Sequence, residues 1–291
     1  MKILVTGASG QLGAYLLDEL ARTGHQVSAW SGSNSKRRGD QGCVPVDLTD
    51  LDAIEPALDR IDPDAVIHLA AISSADAVRL DPARAEAVNV RATRRISEWV
   101  ESRHRRLVFT STDLVFSGKR PSNREDDPAE PALAYGRSKR AAEVAVAPNR
   151  STLVARLPLL FGLSRCGRPS FFDRAIGAIR RGEPQSFFED EYRTPLDYGS
   201  VAKGLIHLAS SDVDGIIHLA GLERMSRFDL MARSALALGL DPALVRTNRL
   251  ADAKLAEPRP PDVSLDTTRW RTLFPDRPWP SVEEALREAP G

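Results

Sequence analysis

Short runs of residue types that are apolar almost throughout, separated by longer amphipathic stretches, constrain this chain more than any other feature. The runs are Ile3–Thr6, Gln26–Trp30, Cys43–Val46, Ala65–Ala71, Leu107–Thr112, Leu153–Leu157 and Gly215–Ala220. A strand with one wet face alternates apolar and polar residues, whereas a strand covered on both faces need not. Near-continuous Val, Ile and Leu therefore predict a parallel sheet with helices on both sides. Gln11–Thr23 places Leu12, Leu16, Leu17, Leu20 and Ala21 on one helical face and meets Gly24 as a stop. Asp81–Val100 repeats that spacing through Ala85, Val88, Ala92, Ile96 and Val100. Strand–helix alternation from the first residue predicts a doubly wound α/β fold of the Rossmann kind.

The alternation loosens after residue 158. Residues 162–194 are rich in Arg, Phe and Gly, and 251–291 hold seven of the twenty prolines. The expected organisation is a core domain over 1–158, with 196–221 returning to its sheet. A smaller substrate-binding region is expected from 159–195 and 222–291. Lys plus Arg equals Asp plus Glu at forty each, so no net field favours nucleic acid or an anionic membrane. The two cysteines, Cys43 and Cys166, cannot build a disulfide framework. Met1-Lys2 runs straight into a strand-like segment, which is not a signal-peptide pattern. No apolar run approaches the ~20 residues that span a bilayer. The expected location is the cytoplasm. The five histidines form no ligand pair, so no metal site is expected, and His68 and His218 read as structural residues within apolar runs. Arg103-His104-Arg105-Arg106 reads as the complement of a helix C-terminus.

Thr6-Gly7-Ala8-Ser9-Gly10-Gln11-Leu12-Gly13 lies between a predicted strand and a predicted helix. Glycines at this spacing let the backbone approach a pyrophosphate, whose charge meets the N–H groups of the helix start. At the end of the second run, where an acidic residue would bind the ribose of NAD, stands Ser31-Gly32-Ser33-Asn34-Ser35-Lys36-Arg37-Arg38. Hydroxyls followed by cations suit a 2′-phosphate, so NADP(H) is preferred over NAD(H). Asp47, before Leu48, is placed to accept from an adenine amino group or to cap the next helix.

Tyr135 and Lys139 are four residues apart and share one helical face. A lysine cation stabilises a phenolate, and so is expected to bring the tyrosine towards the working range of an acid–base catalyst. Thr112 closes the fifth run, where strand ends face the ligand crevice. It is placed to donate to a substrate carbonyl oxygen. Arg193 is expected to hold an anionic substrate group, the alternative being a salt bridge to Glu189 or Asp190.

With these residues the chain resembles the extended short-chain dehydrogenase/reductase family, most closely its dTDP-4-dehydrorhamnose reductase branch. The matching segments are Val5–Gly13, Val66–Ala71, Ser111–Gly118 and Tyr135–Lys139, with Arg193-Thr194-Pro195, His218–Gly221 and Val263–Asp266 further on. The resemblance implies a catalytic triad of Thr112, Tyr135 and Lys139. It also implies a cofactor lying along Leu69, Ala70 and Ala71, and a homodimer formed through the helices that flank the site. The expected cofactor contacts are Gly7, Ser9, Gly10, Gln11, Leu12, Gly13, Ser31, Ser33, Arg37, Asp47, Leu48 and Leu69–Ala71, together with Tyr135 and Lys139. The expected contacts to a small carbonyl substrate are Ser73, Thr112, Asp113, Leu159 and Arg193. Two positions depart from the branch: Leu159 stands where an aromatic residue is usual, and Arg79 where a glutamate is. The expected function is NADP(H)-dependent reduction of a ketone or aldehyde, with a nucleotide-linked 4-keto sugar as one substrate. The alternatives are an epimerase or dehydratase with tightly held NAD, and a silent NADP-binding subunit similar to the regulatory subunit of methionine adenosyltransferase.

Overall fold

The computed structural model describes residues 1–32, 42–147 and 149–288, apart from the side chain of Glu288. Seven parallel strands form the central sheet. They are β1 (Lys2–Thr6), β2 (Gln26–Ser31), β3 (Val44–Pro45), β4 (Ala65–His68), β5 (Arg106–Thr112), β6 (Thr152–Leu157) and an edge strand, Gly215–His218. Their spatial order is edge strand, β6, β5, β4, β1, β2, β3. The order reverses direction at β1, and in such sheets the crevice beyond the strand ends at the reversal is where ligands bind. Thr6 pairs with Trp30 on one side and His68 on the other, and Thr6 and Trp30 line that crevice.

The apolar runs are explained by which face each residue serves. Ile3 and Val5 pack with Leu16, Leu20, Val201 and Leu205, on the side of α1 (Gln11–Leu20) and helix Tyr198–Ala209. Leu4 packs with Ile54, Leu58, Ile96 and Val146, on the side of α2 (Leu51–Ile61) and helices Ala92–Ser102 and Ala134–Val146. A separate apolar cluster joins Phe161, Phe172, Ile176, Leu230, Met231 and Val282, drawn from helices Phe171–Arg180, Arg227–Ala237 and Val282–Glu288. No helix among the described residues is long and apolar enough to cross a membrane.

The structure departs from the expected elements in several places; the run expected over 215–220, for one, ends at His218. The strand expected over 65–71 ends at His68, because the backbone leaves the sheet there to border the crevice. The helix expected to reach Thr23 ends at Leu20. The helix expected over 81–100 is three segments, Pro82–Glu86, a π-helical turn Ala87–Arg91, and Ala92–Ser102. The wider turn carries the buried Asn89, whose Oδ1 accepts from Ile72 N at 2.8 Å and whose Nδ2 donates to Ser138 Oγ at 2.9 Å. Asp50, not Asp47, caps α2; Asp47 instead accepts from Thr49 N and Thr49 Oγ1 at 2.9 and 2.7 Å. In the basic run, Arg103 pairs with Asp59, and Arg105 with Asp62 and Asp64, so carboxylates of a neighbouring segment complement it.

Candidate active site

A cleft of about 1550 Å³ runs across the C-terminal ends of the central strands. That is more than the 300–1,000 Å³ typical of a single small-ligand pocket, so two ligands fit side by side. Gly7, Ser9, Gly10, Gln11, Leu12, Gly13, Ser31, Asp47, Leu48 and Leu69–Ala71 line it towards β1 and β2. Ser73, Thr112, Asp113, Tyr135, Lys139, Leu159 and Arg193 also line it. The expected contacts Ser33 and Arg37 lie outside the described residues.

The glycine turn is built for close approach. Gly7 has φ +66°, and a Cβ there would lie 2.7 Å from Ala70 N; one on Gly13 would run into Ala8 O. Only bare backbone brings β1, the β4 exit and α1 together in this way. The N-terminus of α1 has no side-chain cap, so its first N–H groups are left for another partner. At the end of β2, Ser31 is buried and its Oγ has no hydrogen-bond partner. A backbone cradle, an uncapped helix start and a serine hydroxyl in place of a carboxylate fit a phosphorylated dinucleotide.

The chemistry-bearing residues meet on the far side of β4. Thr112 ends β5, and Asp113–Val115 turn away from it as a single 3₁₀ turn. Helix Ala134–Val146 abuts that turn at Gly136, where any Cβ would collide with Leu114 O. This contact brings Tyr135 beside Asp113. Thr112 Oγ1 donates to Asp113 Oδ1 at 3.1 Å and accepts from Leu114 N at 3.2 Å. Lys139, one turn beyond Tyr135, is buried, with its Nζ 4.1 Å from the centre of the Phe109 ring. Beneath it, His68 bridges Thr6 Oγ1 (2.6 Å) and Thr93 Oγ1 (3.0 Å), and burial and the Lys139 charge push its pKa down to about 3. His68 is thus a neutral structural residue; His218 Nδ1 donates to Asp266 O at 3.0 Å, and its Nε2 has no hydrogen-bond partner.

Electrostatically, the pair differs from expectation. Burial, and then the Asp113 charge, push the Tyr135 phenol above its ordinary pKa. Burial pushes Lys139 down to about 7, against the pull of Glu143. Desolvation, not the neighbouring lysine, sets the direction of the tyrosine's shift. The phenol keeps its proton at neutral pH.

Arg193 also differs. It is buried, with Nε 3.3 Å from Asp113 Oδ2 and Nη2 2.9 Å from Glu191 Oε1. Its partners are therefore Asp113 and Glu191, not Glu189 or Asp190. Glu189 pairs with Arg249, and Asp190 accepts from Leu250 N. The buried Glu191 also holds Arg227 at 3.3 Å and Arg259 at 3.2 Å. Asp113, with its Oδ2 lacking a hydrogen bond, is lifted to about 6 by burial against the opposing pull of Arg193. Arg174, Arg227, Arg259 and Lys254 also line the cleft; with Arg193 they make the Glu191 side of it the positive end. Arg79 pairs with Asp76 at 3.4 Å on the exposed helix Ala75–Leu80. Glu191, Arg227, Arg259 and Asn89 were not expected from sequence. For Glu191 the signal existed: residues 191 and 193 share a side of an extended segment.

Comparison with known proteins decides the family. The RmlD substrate binding domain family matches residues 1–289. The chain belongs to it. A probable dTDP-4,6-dihydroxy-2-methyloxan-3-one 4-ketoreductase from Streptomyces antibioticus is 34% identical, over 99% of this chain and 94% of that protein. A dTDP-4-dehydrorhamnose reductase from Streptomyces griseus is 34% identical, over 95% and 90%. Methionine adenosyltransferase 2 subunit beta from Rattus norvegicus is 27% identical, over 94% and 82%. A dTDP-4-dehydrorhamnose reductase from Bacillus anthracis, solved in complex with NADP, superposes with a TM-score of 0.86 at 22% identity, over 98% and 97%. That last likeness bears on the fold, and it agrees with the Rossmann-type architecture read from the sheet.

Proposed function

We propose that this chain is an NADP(H)-dependent reductase of a nucleotide-linked 4-keto sugar, an oxidoreductase of the extended short-chain dehydrogenase type. The relatives named as dTDP-sugar ketoreductases support the reaction class. The observation that carries the reading is the junction in one cleft of a glycine cradle, the Thr112–Tyr135–Lys139 group and a lining rich in arginine. Gly7–Gly13 would hold the cofactor diphosphate, Ser31 the ribose end, and Leu69–Ala71 the middle of the molecule. NADPH when bound supplies a hydride to the carbonyl carbon.

The remaining steps belong to the chain. Thr112 orients the carbonyl oxygen by turning its one hydroxyl proton from Asp113 Oδ1 to the substrate, and Tyr135 gives that oxygen its proton as the alkoxide develops. An alkoxide is a far stronger base than a phenolate, so the raised Tyr135 pKa does not oppose this transfer. It keeps the donor loaded. Lys139 then stabilises the phenolate left behind. Asp113 and Arg193 hold each other, so Arg193 acts through Asp113 rather than as the anion ligand. Ser73 and Leu159 border the sugar. Arg174, Arg227 and Arg259 provide the positive surface for a diphosphate.

The residue ranges 1–158 plus 196–221, and 159–195 plus 222–291, are proposed as the cofactor and substrate parts. A homodimer in the cytoplasm is proposed on the resemblance, and light scattering of the purified chain tests the dimer. The function itself is tested by supplying NADPH with a panel of nucleotide-linked 4-keto sugars and small ketones. Consumption of NADPH matched to the alcohol formed is the expected result. Isomerised sugar without NADPH loss would replace this reading with an epimerase. Cofactor binding with no turnover on any carbonyl would replace it with a silent NADP-binding subunit.

A further inference from the structure

The segment between β6 and helix Phe171–Arg180 comes back across α1. It is tied down at several points. Tyr15 Oη donates to Leu163 O at 2.7 Å, and Arg165 pairs with Asp18 at 2.8 Å while lying 4.0 Å from the centre of the Tyr15 ring. Ser164 N donates to Asp173 Oδ1 at 2.7 Å, and Ser164 Oγ to Arg168 O at 2.7 Å. These ties deliver Arg168 to the glycine turn. Its Nη2 donates to Ser9 O at 2.6 Å, and the Gln11 side-chain amide donates back to Arg168 O. Arg168 lines the cleft with Ser9, Gly10 and Gln11, and the buried Gln11 Oε1 beside it has no partner.

We propose that Arg168 is a clamp on the cofactor diphosphate, carried to the glycine turn by the strap of residues 162–170. The cradle itself supplies only neutral backbone donors, together with the partial charge of a helix start. A guanidinium has five N–H donors. One on Ser9 O fixes its position, and the others remain for phosphate oxygens. A fixed cation at the turn adds charge where the core domain has none among the described residues of that turn.

The inference rests on the dinucleotide reading above, and its test separates the two. NADPH is titrated into the wild-type protein, followed by intrinsic fluorescence or calorimetry without substrate; binding there supports the dinucleotide reading independently of Arg168. For Arg168→Ala, NADPH affinity is expected to fall roughly ten- to thirtyfold, as for loss of a charged hydrogen bond. The salt dependence of binding is expected to become shallower. Arg168→Lys, which keeps the charge without the fork, is expected to recover part of the loss. Arg165→Ala, which loosens the strap without touching the guanidinium of Arg168, is expected to weaken binding less than Arg168→Ala. Circular dichroism and melting temperature check that each variant is folded. NADPH affinity unchanged in a folded Arg168→Ala protein, with only the KM for the carbonyl substrate raised, would overturn the clamp and assign Arg168 to the substrate.

Discussion

At the β1 end of the cleft, contact with a ligand falls mainly to backbone: Gly7, Gly10, Gly13 and the segment Leu69–Ala71 present main chain, with Arg168 as the cation brought to the turn. At the other end it falls to charged side chains drawn from widely separated parts of the chain, with Glu191 holding Arg193, Arg227 and Arg259. A backbone cradle is indifferent to most substitutions except those that fill it. A buried charge cluster is the opposite, since each member is neutralised only by the others. The first end suits a ligand held through its diphosphate; the second suits an anionic ligand held by side chains. Tyr135 and Lys139 lie between them.

This contrast can be broken or sharpened by substitution. The largest effect is expected at the charged end. Glu191→Ala would leave three arginines facing one another, and a loss of about 3–5 kcal/mol of stability is expected in chemical denaturation. Little change there would mean that water or a ligand neutralises the cluster. At the backbone end, Gly7→Ala forces a positive φ and a Cβ 2.7 Å from Ala70 N. It is expected to cost about 2–4 kcal/mol and to weaken NADPH binding more than tenfold; unchanged binding would remove the cradle from the account. The smallest effect concerns pH. Asp113 titrates at about 6 in the folded protein, against roughly 3.9 in an unfolded chain. Between those values the folded form binds the proton and the unfolded form has released it, so this group makes stability fall as pH rises through the window. Asp113→Asn is expected to flatten that slope between about pH 4 and 6. An equal slope in the variant would place the titration elsewhere.

The sequence disclosed the two ends unequally, for a physical reason. Strand burial, the Gly7–Gly13 turn and the Tyr135–Lys139 spacing are local, each contained within a few turns or one strand, and so legible without a fold. Arg227 and Arg259 reach Glu191 from far along the chain, and no spacing announces them. Arg193 was legible as a special cation but not in its orientation, which depends on the burial of Asp113. The π turn at Ala87–Arg91 was hidden because one wider turn barely disturbs an amphipathic pattern. Yet that turn supplies Asn89, which fixes both the Ile72 segment and Ser138. The pKa order of Tyr135 and Lys139 was missed because desolvation cannot be read from spacing.

The claim that Tyr135 performs the chemistry between two independent binding ends is tested most directly by Tyr135→Phe, assayed for both NADPH affinity and turnover of a 4-keto sugar. Removing the phenolic hydroxyl is expected to leave NADPH affinity within about twofold of wild type. Turnover is expected to fall by about 10²–10⁴, the range for loss of a general acid. Turnover retained in that variant would contradict the account.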